Sequence, residues 1–193
     1  MKNVVRIAGL VNDSIVDGPG LRFTIFTQGC PHHCKGCHNP KTHDFNGGKV
    51  VRVNEILEEI NKARGTTGIT LSGGEPFSQA EALAPLAKFL KKMGYEVASY
   101  SGWTFEELNS GKIPFAKELL ENIDILIDGK FILEQRSLEL SFRGSKNQRI
   151  IDVPKSLKCG YAVETDRIDW LGKEFASNEP DEFAPKDIRS MGK

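Results

Sequence analysis

Three cysteines lie within one short stretch of the chain, and this is where the sequence concentrates its chemistry. Cys30, Cys34 and Cys37 are separated by three and then two residues, whereas the fourth cysteine, Cys159, is remote. Cysteines of a disulfide framework are usually scattered along a chain, while clustered thiols in a reducing compartment more often bind metal. Thiolates this close in sequence can surround one metal centre, so the loop is the first candidate site.

Two kinds of metal centre suit such a loop. A four-iron, four-sulfur cluster needs four ligands, so three thiolates would leave one iron open to an exogenous ligand. The alternative is a structural zinc site in which a histidine completes the ligand set, with His32, His33 and His38 as the candidates. Cys159 is expected to be an ordinary, partly buried thiol.

Composition and charge limit the classes of protein to which the chain can belong. Its 193 residues suffice for one domain, and 39% hydrophobic with 27% charged residues is an ordinary globular balance. Lys plus Arg and Asp plus Glu both number 26, so no net field draws the chain to nucleic acid or an anionic membrane. No apolar stretch is long enough to span a membrane, and no secretory signal begins the sequence. We expect a cytoplasmic protein that binds neither nucleic acid nor membrane.

Strand-like and helix-like segments alternate along most of the chain. Capping boxes at Ser78–Glu81 and Thr104–Glu107 predict two helix starts, and a further helix follows residue 53, where apolar residues recur at helical spacing. The alternation predicts an α/β fold, a mostly parallel sheet with crossover helices that is open or curled into a partial barrel. Runs of β-branched and apolar residues predict strands at 21–27, 69–71, 96–100, 123–128 and 149–153.

The alternating pattern fades after the last predicted strand. We therefore expect one domain over residues 1–158, followed by a charged, proline-containing C-terminal tail over 159–193. Four unusual loops follow four of the strands, and sites in α/β folds assemble at the carboxyl ends of parallel strands. The four loops should therefore meet on one face: the cysteine loop, Gly73-Gly74-Glu75-Pro76, Ser101-Gly102-Trp103 and Asp128-Gly129-Lys130.

The cysteine spacing resembles that of the radical S-adenosylmethionine superfamily. The segments DGPGLRF at 17–23 and QGCP at 28–31 are similar to those of the glycyl-radical-enzyme activases. Within that group, Gly36 before the third cysteine, the segment FRGSKNQRIID at 142–152 and the short chain resemble the activases of anaerobic ribonucleoside-triphosphate reductases. The resemblance extends over about residues 4–157.

This resemblance implies a fold and a set of cofactor contacts. The fold would be a partial (β/α) barrel of the radical S-adenosylmethionine type, carrying one four-iron, four-sulfur cluster. Cys30, Cys34 and Cys37 would bind the cluster, and S-adenosylmethionine would chelate its open iron. The remaining residues that the resemblance assigns to S-adenosylmethionine binding are Gly36, Cys37 and His38 near the adenine, Gly73, Gly74 and Glu75 near the methionine, and Asp128 and Lys130.

The resemblance also implies an activity. Reductive cleavage of S-adenosylmethionine would give a radical that abstracts hydrogen from a glycine of anaerobic ribonucleoside-triphosphate reductase, with an electron donor such as flavodoxin. The cofactor carries this chemistry, so no catalytic side chain is expected. Two alternatives remain open: the activase of another glycyl-radical enzyme, such as pyruvate formate-lyase, and a non-catalytic zinc or iron–sulfur binding module.

Overall fold

Seven strands form one mixed sheet in the computed structural model, which describes residues 3–172. The strands are β1 (Val4–Ser14), β2 (Arg22–Thr27), β3 (Lys49–Arg52), β4 (Gly68–Gly73), β5 (Glu96–Tyr100), β6 (Ile125–Asp128) and β7 (Arg149–Asp152). The helices are α1 (Val53–Lys62), α2 (Ala80–Lys92), α3 (Phe105–Asn109), α4 (Ala116–Leu120), α5 (Val153–Cys159) and α6 (Ile168–Leu171). Short 3₁₀ turns lie at Pro40–Thr42, Pro76–Gln79 and Leu133–Gln135.

The sheet has a parallel centre and antiparallel edges. Its order is β3-β1-β2-β4-β5-β6-β7, in which β2, β4, β5 and β6 pair in parallel. The strands β1, β3 and β7 join antiparallel. The predicted α/β fold with a parallel sheet and crossover helices is therefore confirmed, and the sheet is open between β3 and β7. Sequence analysis did not find β1 and β3.

The two faces of the central strands differ in chemistry. Phe23 and Ile25 of β2 alternate with Arg22 and Thr24, and all four are buried. Because successive side chains point to opposite faces, the apolar set packs under the helices while the polar set lines the other face. The guanidinium of Arg22 donates to Thr70 Oγ1 at 2.6 Å and pairs with Glu96 at 3.0 Å, so its buried charge is compensated.

One of the two predicted helix starts is wrong. The helix α2 begins at Ala80 after the uncapped Gln79, not at a Ser78–Glu81 capping box. A 3₁₀ turn over Pro76–Gln79 includes Ser78 instead, and the Glu75 carboxylate accepts a hydrogen bond from the Phe77 amide of that turn. The Thr104–Glu107 capping box at the start of α3 is confirmed, with both reciprocal hydrogen bonds present.

The first part of the predicted tail packs on the sheet. The amide of Thr165 donates to the Ile150 carbonyl at 2.8 Å, and Glu164 forms a bridge with Ile151. Trp170 of α6 is fully buried. Residues 173–193 of the predicted tail lie outside the described residues. Among residues 3–172, no helix combines the length and apolar character needed to cross a membrane.

Candidate active site

A cavity of about 590 Å³ lies where the parallel strands end. Each of the four loops expected at this edge contributes to its wall, so their predicted convergence is confirmed. Those contributions are Cys30, Cys34 and Cys37 after β2, Gly73 and Gly74 after β4, Ser101 and Gly102 after β5, and Gly129 after β6.

The cysteine loop is held at its two ends by backbone hydrogen bonds. The Gly29 amide donates to the Thr42 carbonyl at 2.8 Å, and the Cys30 amide donates to the His43 carbonyl at 3.1 Å. Cys30 is buried, whereas Cys34 and Cys37 are partly exposed. Burial raises the pKa of the Cys30 thiol to about 11, so a metal that binds there must displace a proton.

The three thiols line one cavity, which is what a shared metal centre requires. Within the described range 3–172, no three His, Cys, Asp or Glu side chains gather closely enough to hold a single ion. All three histidines of the zinc alternative have other contacts, and His33 packs edge-on against His43 with ring centroids 5.1 Å apart. His32 Nε2 lies 2.8 Å from the Glu75 carboxylate, and the His38 ring packs 5.2 Å from Phe131. Three soft thiolates beside an open cavity fit an iron–sulfur cluster with one free iron better than a Cys₃His zinc site.

The Gly73-Gly74 turn requires glycine at both positions. A Cβ at Gly73 would lie 2.6 Å from the Thr27 carbonyl oxygen, and one at Gly74 would lie 2.5 Å from the Gly29 carbonyl oxygen. The Gly74 amide donates to Thr27, and the Glu75 amide donates to Gly29, both at 2.8 Å. The turn therefore packs directly against the start of the cysteine loop. Because glycine has no side chain, the backbone of the turn itself lines the cavity.

Glu75 occupies a different place from its two glycine neighbours. Its side chain is fully buried and does not line the cavity. The carboxylate accepts from the Phe77 amide at 3.0 Å, the Gly102 amide at 2.8 Å, Ser101 Oγ and His32 Nε2. It thus joins the cysteine loop to the ends of β4 and β5.

Three other predicted cofactor contacts, Asp128, Lys130 and Gly36, are not part of the cavity wall. Asp128 is buried and accepts from the Phe105 amide at 2.8 Å and from Arg149 Nη2 at 2.5 Å. Lys130 is exposed, and the Gly129 between them faces the cavity. Gly36 packs against Leu133, while His38 does line the cavity. Direct contact between S-adenosylmethionine and these residues stays a prediction.

Sequence analysis missed several residues of the cavity wall. Asp17 accepts from Ser14 Oγ at 2.5 Å and from Thr24 Oγ1 at 3.0 Å. The Tyr100 hydroxyl donates to the Phe142 carbonyl at 2.9 Å, and burial raises the pKa of Tyr100 well above its usual value. Tyr100 is the last residue of β5. It could have been predicted, because sites in α/β folds form at the carboxyl ends of parallel strands. Phe142 begins the segment at 142–152 that resembles the reductase activases, but that resemblance assigned it no contact in the cavity, which it reaches from the connection between β6 and β7.

Comparison with known proteins identifies similar chains over most of this sequence. The anaerobic ribonucleoside-triphosphate reductase-activating protein of Haemophilus influenzae is 37% identical over 146 residues, covering 70% of this chain and 90% of that protein. The protein of the same name from Escherichia coli K12 is 32% identical, covering 69% and 90%. The one from Enterobacteria phage T4 is also 32% identical, covering 70% and 86%.

Two further comparisons concern the domain and the fold. A solved structure of QueE from Escherichia coli aligns with a TM-score of 0.44 and 18% identity, over 52% of this chain and 53% of that one. The family model described as a 4Fe-4S single cluster domain matches residues 16–151, which include all four loops of the cavity. From the cysteine loop, the matched domain and relatives that are more than 30% identical and almost wholly covered, the chain belongs to the family of anaerobic ribonucleoside-triphosphate reductase-activating proteins.

Proposed function

We propose that the chain activates an anaerobic ribonucleoside-triphosphate reductase by generating a glycyl radical on it. The three cysteines would hold a four-iron, four-sulfur cluster, and S-adenosylmethionine would bind beside it in the cavity. The observation that carries this proposal is that three thiols and a turn restricted to glycine share one cavity at the sheet edge. The names of the relatives support the choice of partner.

The cavity residues would bind and orient these groups rather than react themselves. Cys30, Cys34 and Cys37 supply three soft ligands, and Gly73 and Gly74 leave space for a bulky group to approach the backbone. When bound, the cluster and S-adenosylmethionine supply the one-electron chemistry that removes hydrogen from a glycine. The protein itself needs no nucleophile and base for this reaction.

The opposite wall of the cavity would exclude water. Its apolar side chains come from the connection between β6 and β7, and Phe142 among them is fixed by the hydrogen bond from Tyr100. Tyr100 stays neutral at physiological pH, because burial raises the pKa of its hydroxyl. Exclusion of water prevents side reactions of a reactive intermediate. The apolar wall residues are Phe131, Leu138, Leu140 and Phe142.

The physiological setting follows from the same chemistry. An external donor such as flavodoxin would deliver the electron, because reductive cleavage of S-adenosylmethionine consumes one electron. The equal numbers of acidic and basic residues support a protein that binds neither nucleic acid nor an anionic membrane surface. We place its activity in the cytoplasm, where the thiols stay reduced.

Electron paramagnetic resonance on an anaerobic mixture tests the proposal. The mixture contains the reconstituted protein, a reductant, S-adenosylmethionine and the anaerobic ribonucleotide reductase. A glycyl-radical doublet should appear with the wild type and vanish with Cys34→Ala. The matched control is Cys159→Ala, because Cys159 is exposed and lies outside the cavity wall.

The other outcomes discriminate between the alternatives. If the cluster forms and S-adenosylmethionine is cleaved without a glycyl radical, the partner is wrong, and pyruvate formate-lyase is the next protein to test. If careful reconstitution yields no cluster and metal analysis finds zinc, the protein is a metal-binding module and not an activase.

A further inference from the structure

The two ends of the cysteine loop are tied to the fold, but its middle has little support. Backbone hydrogen bonds hold Gly29 and Cys30, and a turn closes from the Cys37 amide to the Cys34 carbonyl. For segment 31–36, the His32–Glu75 contact is the one side-chain hydrogen bond to the rest of the described chain. The exposed His33 adds a ring contact with His43, with centroids 5.1 Å apart. The His32–Glu75 bond is therefore the one hydrogen bond among the described residues by which a side chain positions the middle of the loop.

His32 is held from three sides. Its side chain is 5% exposed, although neighbouring residues of the loop are open to solvent. The ring packs edge-on against Trp103, with centroids 4.6 Å apart. A Cβ at Gly102 would lie 2.3 Å from the ring, so only glycine leaves room for His32 at this place.

Glu75 is the partner that orients the ring. A carboxylate offers about four acceptor positions, and the donors from His32, Phe77, Ser101 and Gly102 already occupy them. The carboxylate is also fully buried and outside the cavity wall. It has neither the access nor the free acceptor positions needed to bind the amino group of a ligand in the cavity.

The His32 backbone connects this bond to the metal ligands. His32 lies between Cys30 and Cys34 in the chain, so fixing its ring restrains the backbone that carries both thiols. Partners that orient metal ligands from outside the ligand set typically alter metal affinity about 10- to 100-fold when removed. The position of His32 between two cysteines makes it such a partner.

We infer that His32 is a positioning residue for the metal-binding thiols, and that Glu75 acts by holding His32 rather than by contacting S-adenosylmethionine. The inference requires a metal centre at the three cysteines, but it does not depend on which enzyme the protein activates. It assigns the carboxylate of the Gly-Gly-Glu turn to loop support, leaving the cofactor contact to the glycine backbone.

The rate of cluster loss to a chelator tests this inference on the full-length reconstituted protein. Anaerobic samples are challenged with EDTA, and the decay of the iron–sulfur absorption is followed for His32→Ala, Glu75→Gln and the double variant. Each single variant should lose its cluster about tenfold faster than the wild type. The double variant should be no faster than the faster single one, since both substitutions break the same bond.

Two further variants separate positioning from general damage. His32→Gln keeps a donor that can reach the carboxylate and should recover most of the lost stability of the cluster. Lys35→Ala changes an exposed residue of the same loop that takes no part in the His32–Glu75 contact, so its cluster should decay at the wild-type rate. If His32→Ala does not fold, His32→Asn replaces it, because the shorter amide cannot reach Glu75.

Either of two results would overturn the inference. One is a wild-type rate of cluster loss in a folded His32→Ala protein. The other is a Glu75→Gln protein that keeps its cluster but needs more S-adenosylmethionine for half-saturation, since the carboxylate would then be a cofactor contact. No reductase is present in these assays, so a failed glycyl-radical experiment leaves their outcome unaffected.

Discussion

The guanidinium carbon of Arg22 lies 5.2 Å from the ring centre of Trp170, which brings the start of β2 against the helix α6. The other edge of the indole meets Phe142, with ring centroids 5.4 Å apart. Phe142 in turn belongs to the cavity wall. The segment after residue 159 therefore contributes to the support of the site through one buried tryptophan.

Trp170→Ala should destabilise the protein by about 3–5 kcal/mol, because it leaves a large cavity and removes the ring above a buried cation. Urea unfolding of the apo protein measures this loss. Ile168→Ala on the same helix is the control, since Ile168 is 72% exposed and its truncation should change stability by less than about 0.5 kcal/mol. Equal effects of the two substitutions would contradict the packing described for α6.

Gly74→Ala should reduce cluster binding and lower stability by about 1–3 kcal/mol, because its Cβ would collide with the Gly29 carbonyl. Iron content after reconstitution and the thermal midpoint of the apo protein are the measurements. Gly9→Ala provides the comparison, since a Cβ at Gly9 meets nothing within 4 Å. An unchanged iron content in Gly74→Ala would show that the turn and the cysteine loop do not need their close contact.

Arg149→Ala should cost about 3–5 kcal/mol at neutral pH, because it leaves the buried Asp128 carboxylate without its charged partner. Arg149 also lowers the pKa of the Glu106 carboxyl. A carboxyl whose pKa is lowered by folding stabilises the native state above its unfolded pKa, and this contribution disappears as the pH falls. The wild type, but not the variant, should lose that contribution on acidification.

The difference in unfolding free energy between wild type and Arg149→Ala should therefore be smaller at pH 4 than at pH 7. Lys155→Ala serves as a control, because the Lys155 ammonium is itself exposed where it pairs with Asp152 and Asp166, so the substitution should change stability far less than Arg149→Ala. If the difference in unfolding free energy between wild type and Arg149→Ala grew on acidification, the proposed stabilisation of the ionised carboxyls by Arg149 would be contradicted.

Alkylation with iodoacetamide should distinguish the four cysteines. In the apo protein at pH 7.5, the exposed Cys159 should react quickly and Cys30 slowest, because Cys30 is buried and its pKa is raised to about 11. The rate at Cys30 should increase as the pH approaches that value. Loading the cluster should protect Cys34 and Cys37 but not Cys159, as peptide mass mapping would show. Protection of Cys159 would place the metal elsewhere.

The parallel centre of the fold was predictable because its strands carry continuous apolar or β-branched runs. The run at 69–71 lies within β4, and the run at 149–153 includes β7. The edge strand β1 was missed because polar and small residues interrupt VVRIAGLVNDS, and its pairing with β2 is interrupted by irregularities. Its strand character comes from its partners on both sides rather than from local propensity.

The site residues also fall into those that the sequence predicts and those that it does not. The three cysteines and two glycines could be found because their spacing and chemistry are local properties of the sequence. The role of the Glu75 carboxylate could not be found, because its four donors come from three separate segments of the chain. The same holds for Asp128, whose partner Arg149 lies 21 positions away.

The hydrogen bonds from Gly74 to Thr27 and from Glu75 to Gly29 have a consequence for the motion of the site. They continue the β2–β4 ladder past the last strand residues, so the first cysteine follows directly on the sheet itself. Amide protons in this extension should exchange with solvent as slowly as those of the core, opening only with global unfolding. Opening motions of the cavity should then be greatest in the wall formed by the connection between β6 and β7, where exchange should be faster.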